Sequence, residues 1–453
     1  MISAVQQRDW LQQLVSTQAV VANDPEWMQD RRESATEMLM TLPDINRSLE
    51  AWRYTSIDAL FQQAFQSVDA PPDITADHPL LQSVVDSYRI VLVNGYYVAD
   101  LSSQQLPAGI NFCSLRDALN ANSEVLNRLS ENMPVHHEHV FTALNSALNP
   151  DGVLLHLAAD IELDRPLEII YLNQAADQAT LIQPRNVIAL DAGAKATLVE
   201  RFVSSDQSVY FNNQLVDIVL ADDANLEHYR IQDESQHAFH LASLYLSLQT
   251  RSRYHATSLA FGGRWARTDF ITEFQYTDAE CELNGLYTVG DQQLIDFHLD
   301  VRHLAPSCAS HTHFKGLLYG KGRAVFDGLI LVEKAAQQSN AQLTNDNLLL
   351  TRDAEVDTKP QLEIYADDVQ CSHGATVGQL DQQQIFYMRS RGIDETTAGN
   401  MLCLGFANTV LDAIQIPALH QYASQMLADT LQFVAAISRE INVGKTDSAS
   451  PQD

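Results

Sequence analysis

Two short stretches of the chain combine residue types that can do chemistry. One reads Cys371-Ser-His373-Gly374. The other reads Asp296-Phe-His298-Leu-Asp300 and continues through Arg302, His303, Cys308, His311 and His313. Alternate residues of a strand share a face, so extended backbone would point Cys371 and His373 the same way, and likewise His311 and His313. A thiolate and an imidazole on one face suit a soft or borderline metal such as iron or zinc. Two ligands do not complete a site. The others must come from elsewhere in the fold, from another chain or from a transient cluster. On spacing alone, Cys371 with His373 reads equally as a site or as an ordinary solenoid turn.

The other candidates have plainer readings. His311 and His313 read as a surface or ladder pair, and Asp296 with His298 as a structural hydrogen-bonded pair. Cys281 and Cys403 read as small buried hydrophobes. Nothing local fixes the surroundings of Cys308.

Several chemistries are excluded. No Gly-x-x-x-x-Gly-Lys-Ser/Thr loop is present, so the chain is expected neither to hold a nucleotide nor to hydrolyse ATP itself. Gly320-Lys-Gly-Arg323 is Gly-rich but lies between strand-like runs, with no helix start to hold a phosphate. No nucleophile elbow occurs. The five cysteines are scattered with no CxxC pair, which argues for reduced thiols in a cytoplasmic protein and against a self-contained zinc or cluster site. Acidic residues outnumber Lys and Arg 58 to 28, giving a net charge of -30 that repels phosphate backbones and anionic membranes. The first residues lack a basic-then-apolar leader pattern, and no apolar run approaches the roughly 18 residues of a membrane span. We therefore expect no nucleic-acid partner and no membrane.

The elements that must position these residues fall into three regions. Residues 1–149 read as mostly helical: Trp10, Leu11, Leu14 and Val15 share a helical spacing, as do Met28, Ala35, Met38 and Leu39, whereas Tyr88 to Tyr97 is strand-like. Residues 150–380 switch to period-two alternation in short strands such as Val187-Ile-Ala-Leu190 and Leu244-Tyr-Leu-Ser-Leu248. Between strands lie Asp191-Ala-Gly-Ala194, Ala221-Asp-Asp-Ala-Asn225, Thr277-Asp-Ala-Glu280, Arg352-Asp-Ala354 and Ala366-Asp-Asp368. These turns recur at about 30 residues or multiples of it, which favours a coiled solenoid over a sandwich. Leu331 to Gln342 reads as part of that coil. Residues 381–443 are helical, with Gly392 closing one helix, Asp394-Glu395 opening the next and Pro417 restarting the chain. Residues 444–453 read as a disordered tail.

Longer stretches then point to a family. Thr358 to Asp381, which includes Cys371-Ser-His-Gly374, closely resembles the signature of SufD proteins, and the match continues through Ile385-Phe-Tyr-Met-Arg-Ser-Arg-Gly-Ile393. Gly322-Arg-Ala-Val-Phe-Asp-Gly328, Asn345-Asp-Asn-Leu-Leu-Leu350, Leu283-Asn-Gly-Leu-Tyr287 and Trp52-Arg-Tyr-Thr55 fit the same family in the same order. The paralogue SufB fits less well: its matching stretch has His-Glu-Ala-Thr where this chain has Ser372-His-Gly-Ala-Thr376.

The resemblance implies a mainly β protein, a right-handed parallel β-helix flanked by N-terminal and C-terminal helical regions. It implies a non-catalytic scaffold that pairs with a SufB-like paralogue through the end of the β-helix and docks a SufC-like ATPase through residues 382–441. A nascent iron–sulfur cluster would form transiently at the subunit interface. His373 inherits a ligand role there, with Cys371 as its companion. A homodimer in isolation stays open. Of a different class is a β-helix carbohydrate-active enzyme; such enzymes are usually exported and carry a catalytic row of acidic or basic residues on one sheet.

Overall fold

The computed structural model describes residues 2–17, 24–130, 139–174, 178–205 and 208–446, with backbone alone for residues 17 and 433–446. From Gly152 to Gly378 the chain winds a parallel β-solenoid of about seven turns. Successive strands alternate between two sheets. The first runs from Gly152–Leu157 to Leu294–His303, Arg323–Val332 and Glu355–Ile364; the second runs from Leu167–Asn173 to Arg253–Ala260, Glu280–Val289, Ala309–Leu318, Asn340–Leu349 and Gln370–Gly378. Coils stack in unbroken register, so Leu294 sits beside Arg323 and Arg323 beside Glu355.

The corners explain the spaced turn residues. Gly193, Asp223, Arg251, Ser307 and Gln338 all adopt left-handed backbone, with φ of 70°, 60°, 57°, 62° and 63°. Each donates its N–H to the turn of the next coil: Gly193 to Asp222, Asp223 to Thr250, Arg251 to Thr277, Ser307 to Gln337 and Gln338 to Asp368, at 2.6–3.2 Å. Gly and Asp suit this conformation because they meet little or no Cβ penalty there.

Inside the coil the alternate residues form one apolar core. Phe297, Phe314 and Phe326 stack along it with centroid separations of 4.9 and 5.3 Å. Gly285 makes room for this stack: a Cβ there would stand 2.2 Å from the Phe314 ring.

The N-terminal segment is less uniformly helical than its spacing suggests. Helices Ala4–Thr17 and Glu26–Thr41 are followed by short turns and irregular chain, because Pro43, Pro71, Pro72 and Pro107 interrupt it. Tyr88–Val93 extends the second sheet, and Ile110–Ser114 pairs antiparallel with Gly152–Leu157. The start of the solenoid is thereby covered. At its other end, among the described residues, Glu355–Ile364 and Gln370–Gly378 are the edge strands of the two sheets.

Three helices follow, Gln382–Ser390, Glu395–Leu411 and Pro417–Thr446. Asp381 and Asp394 cap the first two by accepting from Gln383 and Thr397 backbone N–H groups, and Gly392 ends the first with φ of 89°. Cys403, Ala407, Val410, Leu419 and Leu427 pack against Tyr229, Leu259, Leu286 and Leu317 on the outer face of the second sheet. The last helix runs on to Thr446, past Gly444, where the sequence suggests a tail. One glycine near a helix end costs only about 1 kcal/mol. The rest of that expected tail, 447–453, lies outside the described residues.

Candidate functional site at the open end of the coil

The last strand carries Cys371 and His373, and its register explains their setting. Cys371 pairs with Ala341 and His373 with Leu343. Ala341 and Leu343 are fully buried core residues. Because strand side chains alternate, Cys371 and His373 continue this interior column past the last packed layer. Cys371 is half-buried against the core, and His373 is exposed.

Among the described residues, His373 makes one hydrogen bond, to backbone. Its Nδ1 lies 3.1 Å from the Pro360 carbonyl oxygen on the facing edge strand. A carbonyl only accepts, so Nδ1 is the donor; in the neutral imidazole that tautomer leaves the lone pair on Nε2. Metal-binding histidines are commonly oriented in this way. Pro360 is tolerated here because the edge strand has no further neighbour to receive its missing N–H. Burial pushes the Cys371 thiol up, against an opposing backbone hydrogen bond from Ala341. The free thiol therefore stays protonated near neutrality, until a metal or sulfur species displaces the proton.

The end of the coil offers a partial ligand set. Among the described residues, the three or more His, Cys, Asp or Glu side chains close enough to hold a metal are His255, Glu280 and Glu282, which lie elsewhere. Cys371 and His373 thus bring two donors of different softness to an open edge, where an incoming chain could add others.

The second sequence cluster is dispersed. Asp296 is buried, with Oδ1 3.0 Å from His298 Nε2, Oδ2 2.5 Å from Thr55 Oγ1 and 3.2 Å from an Arg267 nitrogen. Asp296 and His298 thus lie at ion-pair distance, but Oδ1 and Nε2 do not form the hydrogen bond that the spacing suggests. His303 is buried on Phe274 and 2.8 Å from Ser310 Oγ. His311 and His313 are half-buried on the outer face of the second sheet, with His313 Nε2 3.6 Å from Asp346. Cys281 lies in the coil core, and burial raises its thiol pKa. Cys403 lies under the C-terminal helices, where burial pushes the thiol up to about 12. The Cys308 thiol faces the Tyr276 carbonyl oxygen at 3.1 Å. Gly320-Lys-Gly-Arg323 forms a corner turn between strands.

Two features escape local sequence reading. The partner of His373 is a backbone carbonyl, which leaves no trace in side-chain identity. Large apolar side chains also remain exposed around the coil end and on the helices beyond it: Ile364, Tyr365, Val377, Phe386, Tyr387 and Met401.

Residues 171–406 match the family described as SUF system FeS cluster assembly, SufBD core domain, and residues 7–169 match the SufBD protein N-terminal region. The chain is 33% identical to the iron–sulfur cluster assembly protein SufD of Escherichia coli, over 83% of this chain and 86% of that protein. It is 29% identical to an iron–sulfur cluster assembly SufBD family protein of Synechocystis, over 90% of this chain and 92% of that one. A chloroplastic protein of Arabidopsis thaliana, ABCI7, is 27% identical over 85% of this chain and 82% of its own length. Among the described residues, no helix is long and apolar enough to cross a membrane.

Proposed function

This chain belongs to the SufBD family, on its SufD side, and is a subunit of SUF iron–sulfur cluster assembly; from that premise we propose that it is a scaffold that performs no catalytic step of its own and supplies half of a cluster-building site. Cys371 and His373 are its contribution. A SufB-like paralogue pairs with the open edges of Glu355–Ile364 and Gln370–Gly378 and brings the remaining ligands, so that a nascent cluster is held transiently between the two chains. A SufC-like ATPase docks on the helices from Gln382 onward and supplies the nucleotide chemistry. The work is cytoplasmic.

One observation carries this reading: the hydrogen bond from His373 Nδ1 to the Pro360 carbonyl, which leaves Nε2 available at an unpaired sheet edge. Edge strands with bare backbone groups invite pairing by another chain. The two-donor set makes chemical sense if the pairing chain completes it.

The test is anaerobic reconstitution of the co-expressed complex with ferrous iron and sulfide. His373→Ala should leave the complex assembled and lower its cluster absorbance severalfold. A normal cluster yield on the His373→Ala complex rejects the ligand role.

A further inference from the structure

A separate group of ligating side chains lies on the outer face of the second sheet. His255, Glu280 and Glu282 bring one donor atom each within 4.8 Å of one another. The register explains the convergence. His255 stands beside Glu282, and Glu280 occupies the same face of that strand two residues earlier. On the other side of His255 the register places Glu227, and beyond Glu282 it places His311. A row Glu227–His255–Glu282–His311 therefore crosses adjacent strands, with Glu280 alongside. Two strands separate Glu280–Val289 from the final strand that bears Cys371 and His373.

The contacts show which donors are held and which are free. His255 Nδ1 faces Glu227 Oε2 at 3.5 Å. His255 Nε2 faces Glu280 Oε1 at 3.8 Å, is shielded from solvent and has no hydrogen-bond partner. Glu282 Oε1 accepts from Asn284 Nδ2 at 2.8 Å, which fixes that carboxylate. Glu280 Oε2 faces Arg253 Nε at 3.6 Å. A simple ladder of hydrogen-bonded ion pairs would bring the imidazole nitrogen to about 3 Å from a carboxylate oxygen. Here Nε2 instead stays just out of reach of its nearest carboxylate oxygen, Glu280 Oε1 at 3.8 Å, with Glu282 in the same cluster.

We propose that His255 Nε2 and one oxygen each from Glu280 and Glu282 bind a divalent first-row transition metal of the ferrous iron and zinc class. One imidazole with two carboxylates suits iron, manganese or zinc; the absence of sulfur in the set disfavours copper(I), and the imidazole disfavours calcium. Glu227 at Nδ1 supplies the outer carboxylate that orients a ligating imidazole. Ligand distances near 2.0–2.2 Å require the three side chains to draw together, which their half-exposed setting permits. The site stands apart from Cys371 and His373 and does not depend on their role.

Chelator-stripped full-length protein titrated with Co2+ tests this, with Zn2+ as competitor. The wild type should take up one equivalent with ligand-field absorption that Zn2+ removes. His255→Gln and Glu282→Gln should each weaken binding at least tenfold, Glu227→Gln by about ten- to a hundredfold, and the Cys371→Ser/His373→Ala double variant should bind as wild type does. Unchanged binding in His255→Gln and Glu282→Gln overturns the proposal, as does loss of binding only in the Cys371/His373 variant or no binding by the wild type. Should a variant melt early without metal, the Zn2+-induced rise in Tm decides: Glu280→Gln must lose the rise that the wild type shows.

Discussion

Thr55 donates its hydroxyl to Asp296 Oδ2 at 2.5 Å, across 241 positions of chain. This bond fastens the N-terminal segment to the outer face of the first sheet. Around it, Trp52 stacks on Trp265 with rings 5° from parallel, the Arg267 guanidinium lies 4.1 Å from the Trp52 ring, and an Arg267 nitrogen donates to the Ala51 carbonyl. Burial raises the Asp296 carboxyl, but His298 and Arg267 outweigh it and hold the group below the usual range. Asp296 is therefore a buried anion that needs each of its partners. Thr55→Val should destabilise the protein by about 1–3 kcal/mol, and Thr55→Ser should restore most of the loss. Thermal and denaturant unfolding midpoints check both; a Thr55→Val midpoint equal to wild type would show the bond to be dispensable.

Acid should weaken the fold in two steps. Burial pulls His303 down to about 4 from 6.5, so it is neutral in the folded chain. The unfolded chain takes up that proton first, so stability present above pH 6.5 is lost as pH falls through 4. His228, also lowered by burial, acts in the same direction. Glu200 answers at lower pH. Its burial is outweighed by Arg230, His228 and Tyr171, which hold it at about 2 against 4.5, so its contribution disappears as pH drops through that interval. Between pH 7 and pH 5, His303 alone should account for a loss of about 2 kcal/mol. His303→Leu should flatten that part of the curve, as read by unfolding midpoints at the two pH values. An equal loss in the variant would assign the acid sensitivity to other groups.

If a SufC-like subunit docks on the C-terminal helices, as proposed, docking should depend on side chains that the fold itself does not use. Phe386 is 74% exposed, and Tyr387 and Met401 are exposed near it in sequence. Removing all the terminal helices is a poor test, because it would uncover Tyr229, Leu259, Leu286 and Leu317. Phe386→Glu with Met401→Glu should instead leave the melting temperature unchanged and abolish co-purification with a SufC-like subunit. Retained co-purification would move the docking face off these helices.

The sequence revealed what periodicity and turn chemistry encode. The corner at Ala221-Asp-Asp-Ala-Asn225 was legible because Asp tolerates the left-handed conformation that Asp223 adopts. Arg251, Ser307 and Gln338 adopt it too, but their types do not announce it; the stacking of coils imposes it. The shared face of Cys371 and His373 followed from alternation alone. The Pro360 carbonyl did not, since it depends on how the two sheets face each other. His255, Glu280 and Glu282 lie on two strands, so their convergence emerges only from register. The closeness of Asp296 and His298 was readable locally, whereas the bond from Thr55 was not.

The last coil rests on a neighbour along one side only. Each earlier coil is held from both sides, so its opening must break two layers of backbone bonding; the final one breaks one. Amide hydrogen exchange should accordingly begin in Gln370–Gly378 and advance inward. A partner seated on that strand would slow this exchange, so assembly would tighten the very segment that carries Cys371 and His373, and disassembly would loosen it again.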